Sequence, residues 1–202
     1  MTNCIEIKGL CKSYGDFALK NINLTLPGGS ILGLIGENGA GKTTTIKCIL
    51  NLIHRDAGEI TLLGYDNIRE ERLAKQDIGL VLDECFFSDA LRPLDLDKIL
   101  APAYREWDRK LFRSYLDKFG LPEKKLIKEF SRGMKMKLSL SAALAHHPRL
   151  LILDEATAGL DPVVRDEILD EFLGFIQDED HAILMSSHIT SDLEKVADYI
   201  AY

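Results

Sequence analysis

A short glycine-containing segment carries the residues best suited to bind phosphate. It reads GENGAGKT, from Gly36 to Thr43, and lies between the apolar run SILGLIG and the helix-like run TTTIKCILNLI. Consecutive backbone amides and the positive end of a following helix bind polyphosphates, and glycines permit the tight turn required. We therefore predict that Lys42 contacts the β and γ phosphates and that the Thr43 hydroxyl binds Mg²⁺. The alternative is a simple glycine turn before a helix.

A pair of adjacent acids forms a second candidate site. The run LLILDE ends an apolar, strand-like segment at Asp154 and Glu155. Neighbouring side chains on a strand point in opposite directions, so the two acids suit two different tasks. We predict that Asp154 holds Mg²⁺ through water and that Glu155 polarises the water that attacks the γ phosphate. Solvated acids that merely end a strand are the alternative.

The spacing of apolar residues predicts the elements that position these side chains. Short apolar runs bounded by glycines or acids predict strands at Ser30 to Gly36, Gly58 to Gly64, Ile78 to Glu84, Arg149 to Asp154 and His181 to Ser187. Helical patterns separate most of these strands. Alternating strands and helices are typical of a mostly parallel sheet covered on both faces, so we predict an α/β fold.

Two parts of the chain depart from this alternation. CIEIK and NINLTL, near the N-terminus, alternate apolar and polar residues and predict antiparallel strands. Apolar residues recur at helical spacing over residues 85–145 and predict an inserted helical subdomain. We expect one domain over residues 1–202, in which 1–84 and 146–202 form the catalytic core with its β subdomain. The final ADYIAY looks like a strand that has only begun, so we also expect a truncated C-terminus.

Composition narrows the class of protein. The chain has 202 residues, which suits one large core and one nucleotide site. It is 46% hydrophobic and 28% charged, its apolar runs are too short to span a bilayer, and the start MTNCIEIKG resembles no secretory signal. We therefore expect a cytosolic protein with reduced thiols at its 4 cysteines. A net charge of -7 disfavours nucleic acid as a partner.

Four segments together make a resemblance specific. GENGAGKTT, FSRGMKMKLSLSAAL, LLILDEATAGLDP and the SSH of Ser186 to His188 follow one another in the order and spacing of ABC ATPase cassettes. The resemblance covers nearly the whole chain, and the SRGM variant is similar to ABC-2-type and multidrug exporter ATPase subunits. It implies a P-loop NTPase core that binds ATP and Mg²⁺ and hydrolyses ATP to ADP and phosphate, coupled to transport.

The resemblance also implies roles for individual residues. Ser131 and Gly133 would contact the γ phosphate bound to an opposite subunit, although Ser131 is also a good helix N-cap. His188 would act at the γ phosphate with the catalytic residues Lys42 and Glu155, or would be a structural histidine. The full set of expected nucleotide contacts is Tyr14, Gly36, Asn38, Gly39, Ala40, Gly41, Lys42, Thr43, Thr44, Ser131 and Gly133.

Three positions leave alternatives open. Tyr14 resembles the aromatic residue that stacks on adenine, with a turn tyrosine as the rival interpretation. Asp161 resembles a residue that links two sites across a dimer, yet its place before a proline makes it an equally good helix cap. Asp83 stands where the family usually has glutamine. We predict that Asp83 binds the metal with Thr43 and Asp154, while its relay role is left open because aspartate is shorter and charged.

The expected function is that of a transporter motor. Two cassettes would face each other head to tail, as a homodimer or heterodimer, and dock on a transmembrane permease subunit at the inner face of the cell membrane. The expected protein is thus cytoplasmic and peripheral, and export is the favoured direction. The alternatives are a soluble non-transport ABC ATPase and a non-hydrolysing regulatory cassette, the latter disfavoured because Lys42 and Glu155 are both present.

Overall fold

The computed structural model describes residues 3–202. The strands are β1 (Asn3–Tyr14), β2 (Phe17–Pro27), β3 (Ser30–Ile35), β4 (Ala57–Leu62), β5 (Tyr65–Asp66), β6 (Ile78–Val81), β7 (Leu150–Asp154), β8 (Ala182–Ser187) and β9 (Tyr199–Ala201). The helices are α1 (Lys42–Ile49), α2 (Glu71–Gln76), α3 (Pro93–Leu100), α4 (Arg109–Lys118), α5 (Arg132–Leu144), α6 (Pro162–Phe175) and α7 (Thr190–Val196), with a 3₁₀ turn at Ile127–Glu129.

A parallel sheet forms the centre of the molecule. Its strand order is β6-β7-β8-β3-β9, and every adjacent pair is parallel. The carboxyl ends of β3, β6, β7 and β8 therefore meet at one edge, where open α/β sheets bind their ligands. The predicted mostly parallel α/β fold is confirmed.

A second sheet covers one face of the first. Its order is β2-β1-β4-β5, and its pairs are antiparallel, as predicted for CIEIK and NINLTL. Buried residues of this sheet, such as Ile7 and Ile60, share a core with Ile46 of α1 and Ile152 of β7. Burying this core is the main favourable contribution that holds the two sheets together.

The other face of the parallel sheet packs against helices. Leu151 and Leu153 point away from the first core and lie with Leu140 of α5, Phe172 of α6 and Leu193 of α7. The near-continuous burial of β7 and β8 follows from this two-sided cover.

Residues 85–145 contain only helical elements in the described chain, and they have a core of their own. Phe112 and Leu116 of α4 pack with Leu96 of α3 and Leu138 of α5. One prediction at the entrance to this region was wrong. The predicted strand Ile78 to Glu84 ends already at Val81, because β6 is an edge strand whose ladder with β7 stops at Val81 and Leu153.

Candidate active site

The glycine-containing loop joins β3 to α1 at the ligand-binding edge of the sheet. Gly39 and Gly41 adopt φ values of 88° and 104°, which only glycine reaches without strain. A Cβ on Gly36 would lie 2.9 Å from the Ala40 Cβ, so the loop also needs a small residue there. Gly41 precedes α1 and supplies no side-chain cap. The first amides of this helix therefore remain available to an anion.

Lys42 lies folded over this loop. Its Nζ donates to the Gly36 carbonyl at 2.7 Å and to the Glu37 carbonyl at 3.3 Å. The same ammonium is 3.5 Å from Oε1 of Glu155. The charge of Lys42, which the sequence predicts to bind phosphate, is therefore balanced by the carboxylate of Glu155, the predicted catalytic residue.

The Asp154 carboxylate lies at the end of β7 and is buried. Its Oδ1 accepts hydrogen bonds from the Thr43 hydroxyl at 3.3 Å and from the Ser186 hydroxyl at 2.5 Å. No group of three or more His, Cys, Asp or Glu that would hold a metal occurs among residues 3–202. The hydroxyl and carboxylate of Thr43 and Asp154 nevertheless fit Mg²⁺, which takes few protein oxygens and completes its shell with phosphate and water.

Glu155 adopts a left-handed backbone conformation, with φ of 52°. This conformation is costly for a residue with a side chain and is often found at functional sites. Its amide donates to the Ser186 carbonyl at 3.2 Å and to the Ser186 hydroxyl at 3.1 Å. Its Oε2 is 2.6 Å from Nδ1 of His188, which follows β8. The structure thus brings Lys42, Glu155 and His188 together.

The loop lines a pocket, and Asp83 lines the same pocket. Its lining consists of Phe17, Glu37, Asn38, Gly39, Ala40, Gly41, Lys42, Thr43, Thr44, Asp83 and Glu155. Asp83 is therefore on the same pocket as Thr43 and Glu155, although it lies two residues beyond the end of β6. Phe17 and Ser186 were not predicted as site residues. Ser186 could have been found from its place in the SSH segment, whereas nothing in the sequence marks Phe17.

Tyr14 lies at the hairpin end beside this pocket but not among its lining residues. It pairs with Phe17 across β1 and β2, and directly opposed strand residues place their side chains on the same face. The Tyr14 ring is 47% exposed, and the Lys12 ammonium is 5.0 Å from its centre. The ring is thus accessible to a base that extends from the pocket past Phe17.

Ser131 and Gly133 do not line the chain's own phosphate pocket. Ser131 is exposed and caps α5, because its Oγ accepts from the Met134 amide at 3.2 Å. Asp161 is also exposed and caps α6 through the Val164 amide at 3.1 Å. Both predicted caps are therefore formed, and capping leaves the exposed sides of these residues free for other contacts.

An apolar groove lies where β6 leads into the helical region. Leu82, Phe87 and Leu100 line it, as do Tyr104 and the buried His146. Phe86, which also lines it, is 74% exposed. Exposed large apolar side chains beside a groove are typical of protein contact sites. No helix within residues 3–202 has the length and apolar character needed to cross a bilayer.

Comparison with known proteins identifies the family. The model of the family described as ABC transporter matches residues 19–158, which is more than half of the chain. The chain belongs to this ABC transporter family. It is therefore an ATP-binding ATPase subunit. The loop and Glu155 line one pocket, and Asp154 and His188 contact the pocket residues Thr43 and Glu155.

Individual ABC proteins match over almost the whole chain. The lantibiotic transport ATP-binding protein SrtF of Streptococcus pyogenes is 35% identical over 201 residues, which cover 98% of this chain and 86% of SrtF. The bacitracin transport ATP-binding protein BcrA of Enterococcus faecalis is 34% identical over 203 residues, which cover 99% of this chain and 66% of BcrA. A solved structure of an ABC transporter ATP-binding subunit superimposes with a TM-score of 0.89 at 27% identity, covering 98% of this chain and 84% of that one.

Proposed function

We propose that this ABC protein is the ATPase motor of an exporter and that Lys42, Glu155 and His188 carry out hydrolysis. The observation that supports this most strongly is the contact of Glu155 with both other residues, at 3.5 Å to Lys42 and 2.6 Å to His188. A phosphate-binding lysine, a carboxylate and a histidine within contact distance form a site suited to in-line attack on a phosphoryl group.

The proposed reaction begins when the loop amides and Lys42 bind the β and γ phosphates. The γ phosphate then replaces Glu155 as the partner of Lys42, because both groups are anionic and approach the same ammonium. Thr43 and Asp154 would hold Mg²⁺, which when bound neutralises charge on the phosphates.

The freed Glu155 then orients and deprotonates a water. The water oxygen bonds to the γ phosphorus, the bond to the β–γ bridging oxygen breaks, and ADP leaves with the electron pair of that bond. His188 stays hydrogen-bonded beside Glu155 during this step and is available to the γ phosphate oxygens.

The proposed second half of the site comes from another cassette. Ser131 and Gly133 lie at the start of α5, outside the pocket of their own chain, and Ser131 is exposed. A helix N-terminus with a serine suits an anion. In a head-to-tail pair, each nucleotide would be held between one chain's loop and the other chain's Ser131.

The proposed membrane partner is a permease subunit that docks on the apolar groove, with Phe86 as an exposed contact residue. Export is inferred from the relatives, two of which are transport proteins for a lantibiotic and for bacitracin. The protein would then lie on the cytoplasmic face of the membrane. Its net charge of -7 disfavours a polyanionic partner such as nucleic acid.

Steady-state hydrolysis of ATP by the purified chain and its Glu155→Gln variant tests this function. Loss of the base should lower kcat by roughly 10²-fold or more, while ATP still binds. Glu37→Gln is the matched control, because Glu37 lies on the same pocket without contacting Lys42 through its carboxylate in the described chain. Equal turnover in Glu155→Gln and the wild type would refute the role of Glu155.

A further inference from the structure

The two segments that meet at Glu155 and His188 lead into neighbouring helices. The segment after β7 carries Glu155 and ends at Asp161, the cap of α6. The segment after β8 carries His188 and leads directly into α7. Since Glu155 and His188 are in contact at 2.6 Å, any shift between α6 and α7 would change the spacing of these two side chains.

An ion pair between a half-buried arginine and a buried aspartate joins these helices close to both segments. Nη1 of Arg165, on the first turns of α6, is 3.8 Å from Oδ1 of Asp192 on α7. The same guanidinium donates through Nη2 to the carbonyl of Leu160 at 3.2 Å. Leu160 immediately precedes Asp161. Arg165 therefore connects the segment that follows Glu155 to the helix that follows His188.

The pair contributes poorly to stability in this geometry. The Asp192 carboxylate is only 1% exposed, and within residues 3–202 neither its Oδ2 nor Nε of Arg165 has a hydrogen-bond partner. Burying a carboxylate costs more free energy than an ion pair returns unless the hydrogen bonds of the carboxylate are complete. An apolar pair would hold α6 against α7 at least as well. Packing of α6 against α7 therefore does not explain why Arg165 and Asp192 are charged residues.

We propose that Arg165 and Asp192 are positioning residues for ATP hydrolysis. They fix the Glu155 segment relative to the His188 segment, so that the carboxylate and the imidazole keep their spacing when the nucleotide displaces Lys42 from Glu155. Arginine suits this task because its planar fork contacts the Asp192 carboxylate and the Leu160 carbonyl at the same time. The inference rests on the proposed roles of Glu155 and His188.

The chain offers a matched control on the same two helices. Lys195 of α7 donates to Asp166 of α6 at 2.8 Å, and both side chains are more than half exposed. An exposed pair of this kind contributes little to stability. Within the part of the chain that the structure describes, neither side chain forms a hydrogen bond or ion pair with Leu160 or with a residue of the pocket. Loss of this pair should leave hydrolysis unchanged, whereas loss of the pair between Arg165 and Asp192 should not.

The experiment compares Asp192→Asn, Arg165→Gln, their combination and the control Asp166→Asn in the full chain. Each single variant of Arg165 or Asp192 should lower kcat about tenfold or more, because a misplaced catalytic group loses rate steeply with distance. The KM for ATP should change less than about twofold, since the phosphate loop is untouched. The double variant replaces the ion pair with two neutral amides and leaves no charge unpaired. Its loss of kcat should therefore be smaller than the product of the two single losses.

Three results would overturn the proposal. One is a kcat for Asp192→Asn no lower than that of Asp166→Asn. Another is a loss of kcat that is accompanied by an equal rise in KM and a lowered melting temperature, which is the pattern of a purely structural pair. The third is a loss of kcat in the double variant that equals the product of the losses in the two single variants. If Asp192→Asn does not fold, Arg165→Gln decides, and a wild-type chain without ATPase activity would instead refute the proposed function.

Discussion

The Lys42 ammonium has two alternative anionic partners in the proposed mechanism, the Glu155 carboxylate and the phosphates of ATP. Its ammonium contacts the Gly36 carbonyl and the Glu155 carboxylate, and the exposed fractions of the Lys42 and Glu155 side chains are only 9% and 17%. A pair this sheltered from water is screened less than a surface pair. In the proposed mechanism, ATP displaces Glu155 from Lys42, and this step delivers the carboxylate to the attacking water.

Removing the ammonium should weaken nucleotide binding. Lys42→Ala should weaken ATP affinity by at least tenfold, because charged hydrogen bonds to the β and γ phosphates are lost. Lys47→Ala is the control, since Lys47 is exposed on the same helix and does not line the pocket. Titration with a fluorescent ATP analogue measures both affinities. An unchanged affinity in Lys42→Ala would exclude this lysine from the phosphate site.

The aromatic residue at the hairpin end should recognise the base and not the phosphates. Tyr14→Ala should weaken ATP binding roughly tenfold, since stacking of a base on an aromatic ring contributes about 1–3 kcal/mol. Tyr14→Phe retains the ring and should bind ATP normally. Isothermal titration with ATP and with inorganic triphosphate separates the two effects. Equal losses for both ligands in Tyr14→Ala would show that Tyr14 only supports the loop.

At the scale of elements, β6 and the helical region are in close contact near the site. A Cβ on Gly79 would lie 2.5 Å from Cδ2 of Leu151 and 2.8 Å from the Ala143 carbonyl. The glycine therefore lets α5 pack directly on the edge strand. The strand leads to Asp83, so this packing also determines where Asp83 meets the pocket.

Gly79→Ala should lower the free energy of unfolding by about 1–3 kcal/mol, because the backbone carbonyl cannot move aside as a side chain can. Gly174→Ala is a control that should change the free energy of unfolding in the opposite direction. Gly174 lies in α6, and a methyl group added there would meet nothing within 4 Å beyond its own helix and chain neighbours. Alanine there should raise the free energy of unfolding by about 0.5–1 kcal/mol. Urea denaturation measures both changes, and equal stability of the two variants would contradict the packing argument.

His146 makes the contact between β6 and the helical region sensitive to acid. Its Nε2 is 3.1 Å from the Ile78 carbonyl, its ring stacks on Tyr104 at 4.0 Å, and burial lowers its pKa below the ordinary 6.5. The unfolded chain therefore takes up a proton before the folded chain does. Stability is fully present above about pH 6.5 and declines as the pH falls below that value.

The variant that isolates this effect is His146→Gln, which keeps a hydrogen-bond donor and does not titrate. Between pH 7.5 and 5.5, the wild type should lose more unfolding free energy than this variant does. Urea midpoints at the two pH values measure the difference. A parallel decline of both proteins would show that His146 does not contribute to the pH dependence.

At the scale of the whole molecule, the parallel sheet explains why so much of the site was predictable. Asp154 ends a parallel strand, Lys42, Glu155 and His188 follow such strands, and the carboxyl ends of these strands meet at one edge. Short-range patterns identified those strands, so the pocket followed from local sequence.

Other contacts depend on packing between distant segments, which local patterns do not encode. Phe17 reaches the loop because the β1 and β2 hairpin folds over it, and its ring would lie 2.9 Å from a Cβ on Gly41. Arg165 and Asp192 meet only because α6 and α7 pack side by side. The early end of β6 follows from its place at the edge of the sheet. None of these has a sequence motif.

The most direct test of the account is the mass of the Glu155→Gln variant in solution with ATP and Mg²⁺, measured by light scattering during gel filtration. In the proposed head-to-tail pair, ATP bridges two surfaces and persists in this variant, so the mass should double relative to the nucleotide-free protein. Adding Ser131→Arg should return the mass to that of one chain, because its bulk blocks the second surface. A variant that binds ATP but stays monomeric, or that dimerises regardless of residue 131, would contradict the account.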